Sequence, residues 1–288
     1  MSILSNLIAH EDRHLLRRIH DRIGTGGMVA AGFMLLLIVA AILAPWISPT
    51  SPNAIDLLNV SSGSSWTHPL GTDNLGRDIL SRLLWGARPS LLGPTLVISV
   101  ATIIAVPLAA LAGWSGGVVD QIVSRFLDLV FAFPGILLAI LAVTLYGPGL
   151  YPCSMALALS YMPWIARVTR SEILRERNKP YVKALEVQGL SGFAICVRHL
   201  IPNVSATIWS QVTISFGYAL IDLAALSFLG LNILPPGADW GVMTNNENAI
   251  LQGDFSQVLY PCLLIILCVT SVTYVGKRLS DENTRLLK

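Results

Sequence analysis

The chain has 288 residues and a net charge of +2; 53% of its residues are hydrophobic and only 12% are charged. Soluble domains carry about 25% charged residues, so the composition excludes a disordered chain and disfavours a water-soluble globule, and the small net charge provides no basic surface for nucleic acid. The four cysteines have no CxxC spacing and lie in or beside apolar runs, which favours small buried apolar residues over metal ligands or a disulfide framework.

Residues 1–27 precede the first apolar stretch. Leu15, Leu16, Ile19 and Ile23 recur at helical spacing, with arginines on the other flank. This pattern predicts a helix that lies in the membrane interface and pins the first span; the alternative is a solvated basic tail. A cleaved signal peptide is disfavoured because the apolar core that follows is longer than the roughly 7–15 residues of a signal peptide.

The apolar stretches predict an all-α, polytopic membrane protein. A spanning helix needs about 20 mostly apolar residues. One stretch is long enough for two helices, divided at the turn Tyr146–Gly149, and another is interrupted by a single acidic residue, Asp222. We therefore predict a transmembrane domain over 28–276 with six spans, near 28–46, 91–112, 129–146, 150–167, 204–229 and 257–276.

The basic residues predict the orientation. With six spans both termini lie on one side, and 16 of the 19 Lys and Arg residues fall on that side. The other side holds Arg77, Arg82 and Arg88, and the outer loop 230–256 has no basic residue. By the positive-inside rule, both termini, the loop 168–203 and the tail 277–288 are predicted to be cytoplasmic.

The loop 168–203 is long for a simple connection between two helices. It is predicted to be helical from Tyr181 to Gln188, to break at Gly189, and to form a second short helix from Ser191 to His199, before Pro202 opens the fifth span. Two short helices joined at a glycine make a compact knob that fits a groove on a cytoplasmic protein. The alternative is a surface helical hairpin without a partner.

Asp222 is the one intramembrane charge that the sequence suggests, and such a residue is a functional candidate by default. Neither of the last two predicted spans offers it a cationic partner. A stand-alone secondary carrier, in which Asp222 titrates, is therefore an alternative that lacks a charge partner within those spans. An intramembrane enzyme is more remote, because the spans contain no HExxH motif and no pair of aspartates.

Four stretches resemble one family of membrane proteins. The run Tyr181–Gly189 (YVKALEVQG) and Arg198–Asn203 (RHLIPN) resemble the EAA loop of binding-protein-dependent ABC importer permeases. His68–Arg82 (HPLGTDNLGRDILSR) and Leu226–Leu231 (LSFLGL) look like the "C"-type permease subunit of dipeptide, oligopeptide and nickel importers. The resemblance extends over most of the chain and implies a type I ABC importer permease fold in the bacterial cytoplasmic (inner) membrane, surrounded by lipid.

The resemblance also implies partners and roles. A second homologous permease, two cytoplasmic ATPases that bind ATP and Mg, and an extracytoplasmic binding protein would complete the importer, and this chain would be non-catalytic, with no cofactor of its own. The residues implied for the contact with an ATPase are Tyr181, Lys183, Ala184, Leu185, Gly189, His199 and Pro202. The residues implied for docking of the binding protein are Gly71, Thr72, Asp73, Arg77, Asp78, Asp239 and Trp240, and Asp222 is a candidate pathway residue. The alternative for the outer stretch is that Arg77 and Asp78 order a re-entrant or interfacial helix before the second span.

The chain departs from the family pattern at two positions of the loop. Lys183 stands where the EAA glutamate is usual, and Leu185 where its second alanine is usual, so we expect a contact of similar shape and altered charge. For the substrate, di- and oligopeptides are the leading prediction. Nickel chelates and glutathione-type compounds are the alternatives.

Overall fold

The structure is a computed structural model that describes residues 2–251 and 253–286, with side chains described for 24–247, 249–251 and 253–278. Within these residues the chain forms helices and one isolated antiparallel bridge, between Thr72 and Asp78. The helices are α1 (Ser2–Ile47), α2 (Ile79–Ser115), α3 (Gly117–Phe131), α4 (Gly135–Tyr146), α5 (Leu150–Arg177), α6 (Pro180–Val187), α7 (Gly192–Ile195), α8 (Ile201–Phe228), α9 (Trp240–Thr244), α10 (Glu247–Leu251) and α11 (Ser256–Leu286).

Four helical stretches of the described chain are long and apolar enough to cross a membrane, namely Gly24–Ile47, Ile79–Ser115, Gly192–Phe228 and Ser256–Arg278. Helices α3 and α4 meet the same criterion only together, and they are bent by 76° at their junction. Helix α5 covers the predicted span near 150–167, but its C-terminal half is polar. The bundle is thus consistent with six spans without fixing that number.

Two predicted spans have different boundaries in the structure. Helix α2 begins at Ile79, well before the predicted residue 91, because the side chain of Asp78 accepts a hydrogen bond from the Ser81 amide and caps the helix. The predicted span 129–146 contains a break between Phe131 and Gly135. Pro134 lacks an amide hydrogen and restricts the residue before it, so a continuous helix cannot pass through this point.

Helix α2 lies at the centre of the bundle, where it packs along α5 and α8, while α11 packs against α8 and α1. The side chains of Ala101, Ala105 and Ala109 on α2 are fully buried. Small side chains let helix backbones approach closely, which is how helices associate where lipid provides no hydrophobic driving force between them. This packing holds the loop 168–203 at one end of the bundle and the residues before α2 at the other.

The outside of the bundle carries a broad apolar surface, as a bilayer requires. Many large apolar side chains on the helix faces are more than half exposed, including Leu35, Leu36, Ile42, Leu137, Leu141, Leu145 and Ile266. In water such a surface would aggregate. It therefore marks the lipid-facing and partner-facing sides of the helices.

The N-terminal part of α1 is separated from the apolar part by a break at Gly24, whose backbone adopts φ 68° and ψ 175°. Residues 2–23 are helical in their backbone, and their arginine and leucine side chains lie outside the described residues. The interfacial position of this helix stays a prediction, as do the boundaries 1–27 and 277–288 of the terminal segments.

Candidate functional site

The loop 168–203 folds around a helix stop at Gly189. Helix α6 begins at Pro180, one residue before the predicted start, and ends at Val187. The amide of Gly189 then donates to the carbonyl of Glu186 at 3.0 Å, and the amide of Leu190 to that of Leu185 at 3.2 Å. This pair of bonds is the Schellman motif, which needs a left-handed residue after the helix. Gly189 has φ +81° and meets that need without strain.

The second helix of the loop differs from the prediction. Ser191 caps α7 as expected, because its Oγ accepts from the Ala194 amide at 3.3 Å. The helix does not end at His199, however, and that boundary was wrong. The chain passes through a π-helical turn, Cys196–Leu200, directly into α8. The amide of Ile201 donates to the carbonyl of Cys196, and the wider turn accommodates Pro202, which has no amide hydrogen.

A buried carboxylate ties the loop to the ends of two long helices. Glu176, at the end of α5, is only 5% exposed. Its Oε1 accepts from the Tyr181 hydroxyl at 2.9 Å and from Asn203 Nδ2 at 3.3 Å, and its Oε2 lies 2.7 Å from Lys179 Nζ. Asn203 Nδ2 also donates to the Tyr181 hydroxyl at 2.9 Å. The network links the loop ends of α5 and α8 to α6.

The same network sets the electrostatics of the loop. Burial alone would raise the pKa of Glu176, but the hydrogen bonds and charge of Lys179 and the donors on Tyr181 and Asn203 outweigh it, and the pKa is lowered from the ordinary 4.5. For Tyr181, burial and the adjacent Glu176 carboxylate raise the pKa. Glu176 is therefore ionised and Tyr181 protonated at neutral pH.

The tip of the loop is exposed and partly apolar. Val187 is 89% exposed and Phe193 is 80% exposed, on either side of Gly189. Of the predicted contact residues, Lys183, Ala184, Gly189 and Pro202 are exposed, and His199 is half-buried. Tyr181 and Leu185 instead point towards the buried cluster formed by residues such as Val182 and Ile195. Sequence reasoning missed Val187 and Phe193, although an apolar residue on each side of a helix stop was a visible signal.

A second candidate region, which we call the outer segment (residues 48–78), leads into α2. Asp73 is at its centre and is 5% exposed. Its Oδ1 accepts from the amides of Leu75 and Arg77, both at 2.9 Å, and its Oδ2 lies 2.7 Å from Arg77 Nε and 3.7 Å from Arg82 Nε. The carboxylate is thus saturated by groups within the chain.

The other residues predicted to dock a binding protein are also turned inwards. The Thr72 hydroxyl bonds the Asn59 carbonyl, and Asp78 contacts His68 Nδ1 at 3.1 Å besides capping α2. Asp239 caps α9, and its Oδ1 accepts from the Ser90 hydroxyl at 2.6 Å. Trp240 is fully buried and donates to the Leu83 carbonyl at 3.0 Å.

These contacts give the motif residues an internal role. Gly71, Thr72, Asp73, Asp78, Asp239 and Trp240 are buried, and Arg77 is half-buried. Several large apolar side chains of the outer segment are exposed instead, among exposed polar ones such as Asn59 and Ser64. Leu57 and Leu58 are 77% and 94% exposed, and Trp66 is fully exposed. The sequence analysis did not single these three out.

The third region is a cavity of about 500 Å³ between α5, α8 and the break between α3 and α4, which we call the Asp222 cavity. The hydroxyl of Tyr161 donates to Asp222 Oδ2 at 2.8 Å. The other lining residues are Phe131, Pro134, Gly135, Ile136, Ser160, Trp164, Ser215 and Tyr218. The sequence identified Asp222 but not Tyr161 or the aromatic rings, because their common location depends on helix packing.

None of these regions resembles a metal centre. Within the described residues there is no group of three or more His, Cys, Asp or Glu side chains that could hold a metal ion. The four cysteines are free, and Cys153, Cys196 and Cys268 are buried. The chemistry that the three regions offer is binding and mechanical connection.

Comparisons with known proteins agree with one another. Residues 105–285 match the family described as binding-protein-dependent transport system inner membrane component, and residues 25–63 match the N-terminal TM domain of oligopeptide transport permease C. The di/tripeptide transport system permease protein DppC of Pseudomonas aeruginosa (strain UCBPP-PA14) is 35% identical over 275 residues, which cover 93% of this chain and 90% of that one.

Two further matches broaden the comparison. The glutathione transport system permease protein GsiD of Escherichia coli O6:K15:H31 is 37% identical over 273 residues, covering 94% of this chain and 88% of the relative. Among solved structures, the MetNI methionine ABC transporter in an inward-facing conformation aligns with a TM-score of 0.60 and 16% identity, covering 71% of this chain and 97% of that chain. At that identity the likeness shows the fold alone.

Proposed function

The chain belongs to the family of binding-protein-dependent transport system inner membrane components, and from that premise we propose that it is the permease subunit of an ATP-driven importer of di- and oligopeptides. Members of this family are multi-pass, non-catalytic membrane subunits. The chain would pair with a second homologous permease, two cytoplasmic ATPases that bind ATP and Mg, and an extracytoplasmic binding protein. Its termini and the loop 168–203 would face the cytoplasm.

The observation that carries this proposal is the anchored loop with an exposed apolar tip. Val187 and Phe193 project next to Gly189, while Glu176 fixes the base of the loop to α5 and α8. Large exposed apolar side chains surrounded by polar ones mark contact sites for protein partners. An ATPase that binds this tip would therefore push on the ends of two long helices rather than on a flexible connection.

The mechanism follows from that connection. Closure of the two ATPases on ATP would move both loops of the permease pair towards each other. Because α5 and α8 are joined through Glu176, Tyr181 and Asn203, the displacement would pass to the helices that line the Asp222 cavity. A ligand can shift such an equilibrium only by binding one state better than the other, and the closed ATPase pair would provide that difference.

The outer segment would serve the opposite face. Its charged motif residues hold the segment against α2 and α9, and the exposed Leu57, Leu58 and Trp66 would contact the binding protein. This assigns the predicted docking residues Asp73, Asp78 and Asp239 a positioning role. The contact itself would be made by neighbours that they hold in place.

The substrate is proposed from the relatives. Two of them carry names for dipeptide or di/tripeptide transport, and others are named for glutathione, which is itself a tripeptide. A glutathione-type importer is thus the second candidate. Uptake of radiolabelled alanyl-alanine and of glutathione by proteoliposomes that contain the complete complex, binding protein and ATP would separate the two.

The test of the loop uses Gly189. We expect Gly189→Val to abolish ATP-driven uptake, because a β-branched residue cannot adopt φ +81° and the helix stop would be lost. Gly189→Asn is the matched control, since asparagine tolerates the left-handed region and no atom lies within 4 Å of an added Cβ. Equal uptake by the two variants would contradict the proposed coupling, as would peptide uptake by the permease in the absence of ATPases.

A further inference from the structure

The Asp222 cavity contains a carboxylate that the coupling mechanism does not require. Of the described residues that line the cavity, Asp222 is the only acidic one, and none is Lys or Arg. One carboxylate oxygen is bound by the Tyr161 hydroxyl at 2.8 Å. That single bond leaves further acceptor positions on the carboxylate open towards the cavity.

The walls of the cavity are aromatic and partly exposed. Tyr218 on α8 is 60% exposed and Trp164 on α5 is 51% exposed. Phe131 at the end of α3 is 45% exposed, and the guanidinium of Arg167 already lies over its ring, 4.3 Å from the centroid. Aromatic faces attract cations, most strongly where water is excluded. Ser160 and Ser215 add hydroxyl groups to the same lining. The cavity thus combines one negative charge, aromatic faces and a few neutral polar groups.

A cavity with these groups favours the binding of a small, positively charged ligand group. A low-dielectric cavity with one fixed charge concentrates the field of that charge and raises the local concentration of counter-ions. An ammonium group has three donors, which match the open acceptor positions of a carboxylate. A carboxylate group of a ligand would be repelled, and a purely apolar ligand would leave the open acceptor positions of Asp222 unsatisfied.

We propose that the Asp222 cavity binds the free α-ammonium group of the transported peptide. Asp222 accepts hydrogen bonds from the ammonium group, Tyr161 holds the carboxylate in position, and the faces of Trp164 and Tyr218 surround the group. The inference rests on the proposed function, since it identifies the chemical group of the substrate that this chain recognises. Every α-linked peptide and glutathione carries such a group, so the site contributes orientation rather than sequence selectivity.

The position of the cavity agrees with a role during the passage of the substrate through the permease. Its lining comes from α5 and α8, the two helices that the loop network joins, and from the break between α3 and α4. The network joins the two helices at Glu176 and Asn203, whereas Tyr161 and Asp222 lie farther along them. A displacement of the loop would therefore tilt the helices about that joint and change the distance between Asp222 and Tyr161. The hydrogen bond between them provides a contact that a moving helix pair can break, releasing the bound group.

The first experiment measures the charge preference of the cavity without transport. Ser160→Cys places a thiol in the lining, next to Tyr161 in the sequence. In the assembled complex this thiol is modified with a cationic trimethylammonium-ethyl and with an anionic sulfonatoethyl methanethiosulfonate reagent. The complex with the native cysteines, three of which are buried, gives the background rate.

We expect the cationic reagent to react faster, and Asp222→Asn to lower the ratio of the two rates by about tenfold. A ratio that Asp222→Asn leaves unchanged would overturn the proposal. That result would mean that another group, such as a basic side chain of the second permease, already neutralises Asp222 in the complex. A structural role of Asp222 alone would not produce a charge-dependent ratio.

The second experiment measures alanyl-alanine uptake in proteoliposomes with the same binding protein throughout. Asp222→Asn is expected to import at less than about one tenth of the wild-type rate, while ATP hydrolysis stimulated by the loaded binding protein continues. Asp222→Glu keeps the charge and is expected to retain at least about one third of the uptake. Equal rates for the Asn and Glu variants, both high or both low, would overturn the proposal.

The controls separate this inference from the proposed function. Glu247→Gln removes one negative charge from an exposed position on α10 and should import normally. If the wild-type complex imports no peptide with ATP, the proposed function fails. If the wild type imports peptide and Asp222→Asn does so within twofold, the proposed function stands and only the recognition of the ammonium group fails.

Discussion

The loop 168–203 and the outer segment contain motif residues of the same kinds, glycines, arginines and carboxylates, but the structure uses them in opposite ways. In the outer segment, Asp73 is bound by backbone amides and two arginines, and large apolar side chains such as Leu58 and Trp66 are exposed. In the loop, one carboxylate, Glu176, is buried and holds the base, while Lys183, Ala184 and Gly189 of the motif are exposed beside an apolar tip.

The difference shows that a recognisable motif does not have to be the contact surface. In the proposed function, the charged residues of the outer segment form the framework that positions Leu57, Leu58 and Trp66. In the loop, the framework is the small network around Glu176, and the motif residues Lys183, Ala184 and Gly189 lie at the surface. Substitutions should therefore affect stability strongly in the outer segment and weakly at the tip of the loop.

The largest expected effect comes from matched glycine substitutions. Gly76 and Gly189 both have positive φ, +74° and +81°, so an alanine at either position costs about 1–2 kcal/mol in backbone strain. At Gly76 an added methyl group would also overlap the carbonyl oxygen of Asp56, whereas at Gly189 nothing lies within 4 Å. We expect Gly76→Ala to lower the free energy of unfolding in detergent by more than about 4 kcal/mol.

Gly189→Ala should lower the same quantity by the strain alone. Thermal unfolding of the two purified variants, followed by the fluorescence of a thiol-reactive dye, provides the comparison. Similar melting temperatures for the two variants would show that the outer segment is no more tightly built than the loop.

A second comparison concerns the charged residues. Asp73→Ala leaves Arg77 and the buried Arg82 without their carboxylate, and breaking one side of a buried pair costs about 3–5 kcal/mol. Lys183→Ala removes an exposed charge and should change stability by less than about 0.5 kcal/mol. Denaturant titration of both variants measures the difference. A small loss for Asp73→Ala would mean that its hydrogen bonds are replaced by water.

Much of the fold could be predicted because hydrophobic length and charge placement are local properties of the sequence. The apolar stretches that become α1, α2, α8 and α11 are visible without any structure, and so is the helix stop at Gly189. The break at Pro134 was not predicted, and the predicted start of the second span at residue 91 missed the start of α2 at Ile79. Both are set by single residues inside or before an apolar run, where hydropathy gives no signal.

The candidate sites were predictable only in part. The motifs located the loop and the outer segment, but their side chains could be sorted into buried and exposed only with the helices packed. Asp73 and Val187 illustrate the limit, since an aspartate is expected at the surface and a valine in the interior. The residues that line the cavity with Asp222 come from α3, α4, α5 and α8, so no spacing along the chain could reveal them.

Smaller effects are expected at the base of the loop. Tyr181→Phe removes the hydroxyl that donates to Glu176 at 2.9 Å and should cost about 1 kcal/mol. Because Asn203 and Lys179 still satisfy the carboxylate, the loop should remain folded. Peptide uptake should fall only modestly, because the variant loses one of the hydrogen bonds that connect α5 and α6. A loss of unfolding free energy larger than that of Asp73→Ala would show that the base of the loop is more tightly held than the outer segment.

The pH dependence of stability should report on the same carboxylate. Since the pKa of Glu176 is lowered in the folded state, its contribution is fully present above the ordinary value of 4.5 and is lost as the pH falls through the folded pKa. Wild-type protein should therefore lose more stability than Glu176→Gln on acidification below about pH 5. Parallel pH profiles of the two proteins would show that Glu176 is not held by its partners.

The smallest effect on stability, and the most direct test, lies at the tip of the loop. Val187→Ser combined with Phe193→Ser changes two exposed side chains and should leave the free energy of unfolding within about 0.5 kcal/mol of wild type. The measurement is co-purification of tagged permease from its membrane in mild detergent, with the recovered proteins identified by mass spectrometry.

We predict that the wild-type chain recovers a second permease and one or two ATPases, and that the double variant recovers the second permease but loses the ATPases. ATPases recovered equally with both proteins would contradict the role of the loop tip. Recovery of the chain alone, with peptide transport after reconstitution without ATP, would contradict its assignment as the subunit of an ATP-driven importer.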